Sequence, residues 1–425
     1  MKSLDEILRD AIENKKYSEV ESLISQGADV NCIYENDNTP LHSASIVGEV
    51  GIAELLIKNG SNVNATTKNG YNPLMVACIR NDRALVELLL KNKADVNQKS
   101  KNGWTSLILA SGNISLDSIF FQNNTMGLKI FQILDTNKNY LLKNNPAQIV
   151  RSLIKAGSDV TQKSIFNNSP LNEAIFSCNT EVIKCLLDNG ANVEDSTEFG
   201  DTPLIGVCGY KFEKYRLSII NLLDRIWDVA GLKIENANEL RSNTKSALQN
   251  NFNNDPPNEQ IASFNSEILQ IAKSLIQHGA NINARNSVRA SPIIVASGEG
   301  KTKLVDLLIK SGADVNDKYD RDLSALFIAA QKGNVEVIKI LLQNGADIDS
   351  PLEDGETALM TAVWFGHVNV VNLLVSKGAN INAKKITPYN INGENSLTWA
   401  AYKFNNEKDV RYAEIFNILH NAGAR

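Results

Sequence analysis

The phrase NGADID at residues 344–349 ends a helix-like run, VEVIKILLQ, and opens a segment that cannot be helical. Glycine stops a helix because it adopts the left-handed backbone conformation without steric cost, and Asp and Asn favour turns. Related phrases recur as QGADVN at 26–31, HGANIN at 278–283, SGADVN at 311–316 and KGANIN at 377–382. The phrase glycine, or the residue in its place, stands at positions 27, 60, 93, 157, 190, 279, 312, 345, 378 and 423. Six of the nine steps are 33 residues, so the sequence is a repeat array with insertions.

A second marker lies 21 residues upstream of the glycine wherever nothing is inserted. Thr39 is placed to cap a helix, and Pro40 at the first helical position loses no required N–H. Leu41 and Ala44 fall on one face, and Gly48 is expected to end this first helix. The marker occurs as TPLHSA, NPLMVA, TSLILA, SPLNEA, TPLIGV, SPIIVA, SALFIA, TALMTA and NSLTWA, starting at residues 39, 72, 105, 169, 202, 291, 324, 357 and 395.

Each repeat is also expected to contain a second helix. In the eighth repeat, Val335, Ile338, Leu341 and Leu342 form one apolar stripe, and Gly345 then stops the helix. The phrase NGADID is therefore a helix stop followed by the base of a projecting loop.

The 33-residue period, the TPLH-like start and the GADVN-like end resemble the ankyrin-repeat family. The resemblance covers nearly all of residues 1–425 and implies an all-α repeat protein, a helical solenoid with β-hairpin fingers. The full TPLH string occurs once, at Thr39–His42. The resemblance implies that His42 braces the adjacent finger, and that Met, Asn or Phe in its place loosens local hydrogen bonding.

The two ends and two long insertions depart from the repeat. Residues 1–31 are expected to form an N-terminal capping repeat, with a capping box between Ser3 and Glu6, and residues 390–425 a C-terminal one. The insertions, 114–144 and 211–266, fall between the first and second helices of their repeats, where they are expected to form one side lobe. The second insertion has two interpretations: a decayed repeat with Gly231 in the glycine position, or a partner-binding helix.

Composition restricts the functional classes. The chain has 43% hydrophobic and 21% charged residues, typical of a folded protein, and a net charge of −5 without a basic block, which argues against a nucleic-acid partner. The start MKSLDEILRD lacks a signal-peptide core, and no stretch is long and apolar enough for membrane insertion. Five cysteines without a CxxC pair indicate reduced thiols. We expect a cytoplasmic monomer, although specialised export is compatible with the sequence.

Three motifs resemble functional sites but lack essential residues. GEGKT at 298–302 resembles the end of a phosphate-binding loop, but Val295 replaces the first glycine and no strand precedes it. LDTNKNYLL at 134–142 resembles a calcium loop, but Pro146 stands at the position of the bidentate glutamate. The four histidines lie in separate repeats, away from any nucleophile pattern. The sequence therefore predicts no cofactor, no metal and no catalytic site.

The resemblance implies that a partner contacts the finger tips and the exposed end of the first helix. The finger-tip candidates are Tyr71, Trp104, Phe199 and Tyr319, with Lys318 and Arg321 as charged neighbours, and the helix-end candidates are Ile46, Ile79, Phe176, Trp364 and Phe365. Trp104 fits packing against a neighbouring finger equally well. The pair Trp364–Phe365 is the strongest candidate, because two consecutive side chains cannot both face one core. Arg285 and Arg289 extend the basic positions, for which a solvated surface is the simpler interpretation.

The sequence favours a non-catalytic protein–protein interaction scaffold that binds its partner through a concave groove and the finger tips. The alternative is an enzyme or secreted effector whose activity resides in the lobe formed by the two insertions. Deletion of residues 211–266 distinguishes them, because it abolishes activity only in the alternative.

Overall fold

The computed structural model describes residues 3–112, 146–209, 258–387 and 390–425. Contacts group these residues into two compact units: one runs through Glu198 and includes 258–271, and the other comprises 199–209 and Ala272–Arg425. The predicted insertion 114–144 and most of 211–266, including the proposed decayed repeat, lie outside the described residues. That both units form one continuous solenoid over 1–425 stays a prediction.

The described part of the chain is built almost entirely of paired helices, which confirms the all-α repeat class. In the first unit the helices are α1 (Leu4–Glu13), α2 (Tyr17–Ser25), α3 (Pro40–Val47), α4 (Val50–Lys58), α5 (Pro73–Ile79), α6 (Arg83–Lys91), α7 (Ser106–Ser111), α8 (Pro146–Lys155), α9 (Pro170–Phe176) and α10 (Thr180–Asp188). In chain order, α11 (Pro203–Cys208) and α12 (Asn258–Gln277) follow, and the boundary between the units falls inside α12.

The second unit continues with α13 (Pro292–Gly298), α14 (Thr302–Lys310), α15 (Ala325–Lys332), α16 (Val335–Gln343), α17 (Ala358–Trp364), α18 (Val368–Ser376), α19 (Ser396–Glu407) and α20 (Val410–Asn421). Two of its fingers are antiparallel hairpins: β1 (Lys318–Tyr319) pairs with β2 (Leu323–Ser324), and β3 (Lys385–Thr387) pairs with β4 (Asn390–Glu394). Other fingers are tight turns closed by backbone bonds, as from Thr67 N–H to the Tyr71 carbonyl at 2.9 Å and from Gly70 N–H to the Thr67 carbonyl at 2.8 Å.

The helix signals in the sequence act as expected. Ser3 and Glu6 form the reciprocal capping box, and Gly48 ends α3 in the left-handed conformation at φ 75°. The predicted second helix of the eighth repeat is α16, but Val337 is buried with Ile338 and Leu341, whereas Val335 and Leu342 are only half-buried. That helix therefore turns a slightly different face to the core than its apolar stripe indicated.

The core of each unit lies between stacked helices. The marker leucines Leu41, Leu74 and Leu107 are fully buried in the first unit, and Leu326 and Leu359 are almost fully buried in the second. Burial of one such side chain contributes about 1.5–3 kcal/mol, and because the same position is filled in each repeat, the gain recurs along the stack.

His42 supports the predicted brace between repeats. Its Nε2–H donates to the carbonyl of Tyr71 in the next finger at 3.0 Å, while its Nδ1 accepts the Thr39 N–H at 3.2 Å. Burial lowers the pKa of this imidazole to about 4, although the bond to the Tyr71 carbonyl opposes that shift. Asn172, which takes the place of the histidine, donates instead to the Asp195 carbonyl, nearer the base of the next finger, at 3.2 Å.

The last residue of the repeated phrase links one finger base to the next. Asn316 donates from Nδ2 to the Gly345 carbonyl at 3.1 Å and accepts the Asp347 N–H at 2.8 Å. We call this series of bonds the asparagine ladder; its other two-bond members are Asn31, Asn64, Asn97 and Asn283. The recurrence of the phrase thus has a second cause besides stopping a helix, because its final side chain connects consecutive repeats.

A second recurring contact closes the carboxyl end of the first helices, whose last carbonyls lack partners within the helix. Arg80 Nη1 donates to the Ile46 carbonyl at 2.6 Å in the first unit. In the second unit, Lys301 Nζ donates to the Val207 carbonyl at 3.2 Å and the His367 ring to the Gln331 carbonyl at 2.9 Å. Lys301 belongs to the GEGKT motif, which lies at the turn between α13 and α14 and so has a structural role.

Candidate partner-binding surface

The helix α17 brings Trp364 and Phe365 to the surface of the second unit. Thr357 caps its start by accepting the Met360 N–H at 3.4 Å, and Leu359 and Ala362 face the core. The helix ends at Trp364, and Gly366 turns the chain at φ 70°. Because the two aromatic residues fall at this turn, neither side chain enters the core: Trp364 is 39% exposed and Phe365 45% exposed.

The next first helix adds two more exposed rings. α19 has 12 residues, compared with 7 in α17, and its longer end carries Tyr402 and Phe404, which are 58% and 39% exposed. Tyr402 occupies the position of Trp364 one repeat later. Phe404, two residues later, lies about 200° further round α19. We therefore define Trp364, Phe365 and Tyr402 as the aromatic patch. Exposed rings grouped at neighbouring helix ends are typical anchors of protein interfaces.

Buried and half-buried groups hold Trp364 in place beneath this patch. Its ring lies edge-on to Trp399, with centroids 5.2 Å apart and planes at 64°. Tyr412 donates its hydroxyl to the Trp364 carbonyl at 3.0 Å, and the Lys403 Nζ lies 4.5 Å from the Trp364 ring centroid. Trp364 therefore loses little conformational freedom when another surface covers it.

Each cation in this cluster is matched by a carboxylate. Lys385 Nζ lies 5.3 Å from the Trp399 centroid and forms ion pairs with Asp354 at 3.0 Å and with Glu356. Burial lowers the pKa of Lys385, but hydrogen bonds to Glu356 and Asp354 outweigh it, so the pKa is raised. Lys403 pairs with Glu407, and this hydrogen bond raises the pKa of Lys403. The patch is thus apolar, with its neighbouring charges compensated.

Three predicted site residues lie inside the protein. Tyr71, Trp104 and Ile79 are only 4%, 6% and 6% exposed. Tyr71 and Trp104 end their fingers directly before a first helix, so their rings turn inward rather than toward the tips. A side chain covered in this way cannot anchor a partner without rearrangement, and we remove these three from the candidate surface.

The other predicted residues are divided between the units. Ile46 and Phe176 are half-buried at helix ends of the first unit. In the second unit, Phe199 is 65% exposed, Arg321 is exposed, and Lys318 and Tyr319 are half-buried in β1. None of these belongs to the aromatic patch.

Among the basic positions of the fingers, Arg285 is held by contacts with the next finger. Arg285 forms an ion pair with Asp317, and its Nη1 donates to the carbonyls of Lys318 and Arg289, each at 2.9 Å. The Arg285 guanidinium therefore joins two fingers.

Sequence reasoning did not identify Trp399, Lys403, Tyr412 and Lys385 as part of the site. They come from three chain segments that meet only in the fold. One signal was present: Trp399 stands where Thr361 stands in the preceding repeat, so a large ring replaces a small side chain next to Trp364.

Among the described residues, no group of His, Cys, Asp and Glu side chains is arranged to hold a metal ion. Within the same residues, no helix has the length and apolar character needed to cross a membrane.

Comparison of the sequence with models of known protein families agrees with the repeats seen in the structure. The model for ankyrin repeats in three copies matches residues 8–100, 49–119, 259–351 and 293–385, and the model for one ankyrin repeat matches 166–195. The chain belongs to the ankyrin-repeat family. Ankyrin repeats generally mediate protein–protein interaction, and proteins built from them are typically non-catalytic scaffolds. A search of curated proteins found no match to this ankyrin-repeat chain.

Proposed function

We propose that this ankyrin-repeat chain is a non-catalytic, monomeric, cytoplasmic binding protein that captures a partner protein through the aromatic patch. The observation that carries the proposal is the exposure of three rings at two adjacent helix ends, with Trp364 and Phe365 at 39% and 45% and Tyr402 at 58%. Fully covered aromatic side chains each contribute about 2 kcal/mol or more where they act as interface hot spots.

Preorganisation supports the same conclusion. Trp364 is held by Trp399 through its ring and by Tyr412 through its backbone carbonyl. A partner that covers this ring therefore loses less of its binding energy to the ordering of side chains. The carboxyl end of the first helix is also where the family resemblance predicts partner contacts.

The charges favour a protein over a nucleic acid. Nucleic-acid binding depends on several uncompensated Lys and Arg side chains that displace counterions from phosphates. Lys385 and Lys403 are both paired with carboxylates, and the net charge of the chain is −5. A surface of rings with compensated charges therefore suits a partner protein better than a phosphate backbone.

The test is affinity capture from the protein's own source, followed by mass spectrometry. The bait is the full chain, compared with the double variant Trp364→Ala/Phe365→Ala and with Val410→Ala. Val410 is 78% exposed outside the patch, so it controls for the loss of exposed apolar surface. We expect a partner that is retained by the wild type and Val410→Ala and lost by the double variant. A partner retained equally by all three proteins contradicts the proposed surface, provided that the circular dichroism of the variants is unchanged.

A further inference from the structure

The side chain of Lys403 lies against the ring of Trp364 and against the ring of Tyr412, which is 2% exposed. The Lys403 ammonium lies 4.5 Å from the Trp364 centroid and 5.4 Å from the Tyr412 centroid. Its side chain is only 13% exposed, and its ion-pair partner Glu407, one turn later in α19, is 44% exposed. Two ring faces and one carboxylate thus converge on a single cation, the arrangement by which proteins recognise cationic groups.

We propose that Trp364, Tyr412 and Glu407 form a pocket for an arginine side chain of the partner, which Lys403 occupies until the partner binds. This inference rests on the proposed function, since it assigns a chemical class to the partner at the same surface. In the bound state the guanidinium replaces the lysine ammonium against the Trp364 ring and pairs with Glu407, while Lys403 extends into solvent.

The pocket favours arginine for geometric reasons. A guanidinium is planar, stacks on an aromatic face and donates two parallel hydrogen bonds to one carboxylate, whereas an ammonium is a compact and strongly hydrated charge. An incoming arginine therefore satisfies Trp364 and Glu407 together better than Lys403 does. An incoming lysine offers no such advantage and competes with Lys403 on equal terms.

The second cation–ring contact of the cluster shows why Lys403 is the replaceable one. Lys385 is held over Trp399 by two carboxylates, Asp354 and Glu356, which come from the preceding finger. Among the described residues, Lys403 has one ion pair, with a carboxylate that is 44% exposed and lies four residues along its own helix, and a hydrogen bond with Tyr412. An ion pair of this type on a helix surface is weak, so Lys403 is held by this pair and by its contacts with the Trp364 and Tyr412 rings, without the second carboxylate that Lys385 has.

The inference is tested with the full chain and the peptide acetyl-Gly-Gly-Arg-Gly-Gly-amide, by following the indole ¹⁵N–H signal of Trp364 in NMR titrations. If Lys403 covers the ring for about nine-tenths of the time, Lys403→Ala raises the apparent affinity about tenfold, since affinity scales with the open fraction. Lys332→Ala is the matched control, because Lys332 lies at the end of another first helix, α15. We expect this control to bind the peptide as the wild type does.

Two further measurements identify the chemistry. In the Lys403→Ala background we expect Glu407→Gln to weaken binding of the arginine peptide, and we expect the corresponding lysine peptide to bind more weakly than the arginine peptide. Equal affinity of Lys403→Ala and the wild type, or equal affinity for the two peptides, overturns the inference. Because these titrations do not use the partner, such a result leaves the capture experiment with the Trp364→Ala/Phe365→Ala variant to decide the proposed function separately.

Discussion

Replacement of Asn316 by alanine tests whether the asparagine ladder stabilises the repeat array. The change removes two bonds between consecutive finger bases, from Nδ2 to the Gly345 carbonyl at 3.1 Å and from the Asp347 N–H at 2.8 Å. A neutral hydrogen bond contributes about 0.5–1.5 kcal/mol net, and exposed bonds lie toward the low end, so the loss in unfolding free energy is ~1–2 kcal/mol. Asn316→Asp keeps the acceptor and removes the donor, so it is expected to cost about half as much.

The assay is urea unfolding followed by tryptophan fluorescence in a background with Trp104→Phe and Trp227→Phe. Of the chain's four tryptophans, this background leaves Trp364 and Trp399, both in the second unit, so the signal reports the unit that contains Asn316. Gln343→Ala, an exposed change at the end of α16, is the control and is expected to shift stability by less than about 0.5 kcal/mol. The reasoning is refuted if Asn316→Ala unfolds at the same urea concentration as Gln343→Ala.

Three further predictions concern stability. Asp349 accepts the Asn380 N–H at 2.7 Å but, as a carboxylate, cannot donate. Asp349→Asn is therefore expected to add a hydrogen bond to the Gly378 carbonyl and to raise the free energy of unfolding by about 0.5 kcal/mol in the same assay, and a lower urea midpoint contradicts this. Lys93 has φ 62° at a position where other repeats have glycine, which adopts this left-handed conformation without steric cost. Lys93→Gly is therefore expected to raise the free energy of unfolding by about 0.5–1 kcal/mol in urea unfolding followed by Trp104 fluorescence. A destabilised variant contradicts this prediction. Burial lowers the pKa of His42 from 6.5 to about 4, so the unfolded chain binds the proton more readily than the folded chain does. The contribution of neutral His42 to the free energy of unfolding is fully present above about pH 6.5 and falls by up to roughly 3 kcal/mol as the pH drops to 4. A His42→Asn variant with the same pH profile as the wild type contradicts that account.

The repeat could be predicted from the sequence because its signals are local. The phrase glycine requires positive φ, and Gly345 indeed has φ 88°; the marker residues cap and start helices within four positions of each other. Such requirements act between neighbours in sequence, so they can be recognised in the amino-acid sequence alone. The exposure of Trp364 and Phe365 was also predictable, since consecutive residues at a helix end cannot share one buried face.

The ring cluster and the burial of the finger aromatics depend on contacts between repeats. Tyr71 and Trp104 occupy positions that look like loop tips, and only the packing of adjacent fingers shows that their rings turn inward. Lys403 reaches Trp364 from α19, which is five residues longer than α17, and no local pattern places this lysine opposite an indole. The 33-residue period determines which residues are equivalent, but it does not specify what a side chain contacts in the neighbouring repeat.

The most direct test of the binding surface is the affinity of the captured partner for three purified proteins: the wild type, Trp364→Ala/Phe365→Ala and Val410→Ala. Two hot-spot anchors of about 2 kcal/mol each predict that the double variant binds at least about 100-fold more weakly, because each 1.4 kcal/mol changes the affinity tenfold. Val410→Ala is predicted to bind as the wild type does. An affinity of the double variant within about threefold of the wild type, a difference of less than about 0.7 kcal/mol, contradicts the assignment of the aromatic patch as the binding surface.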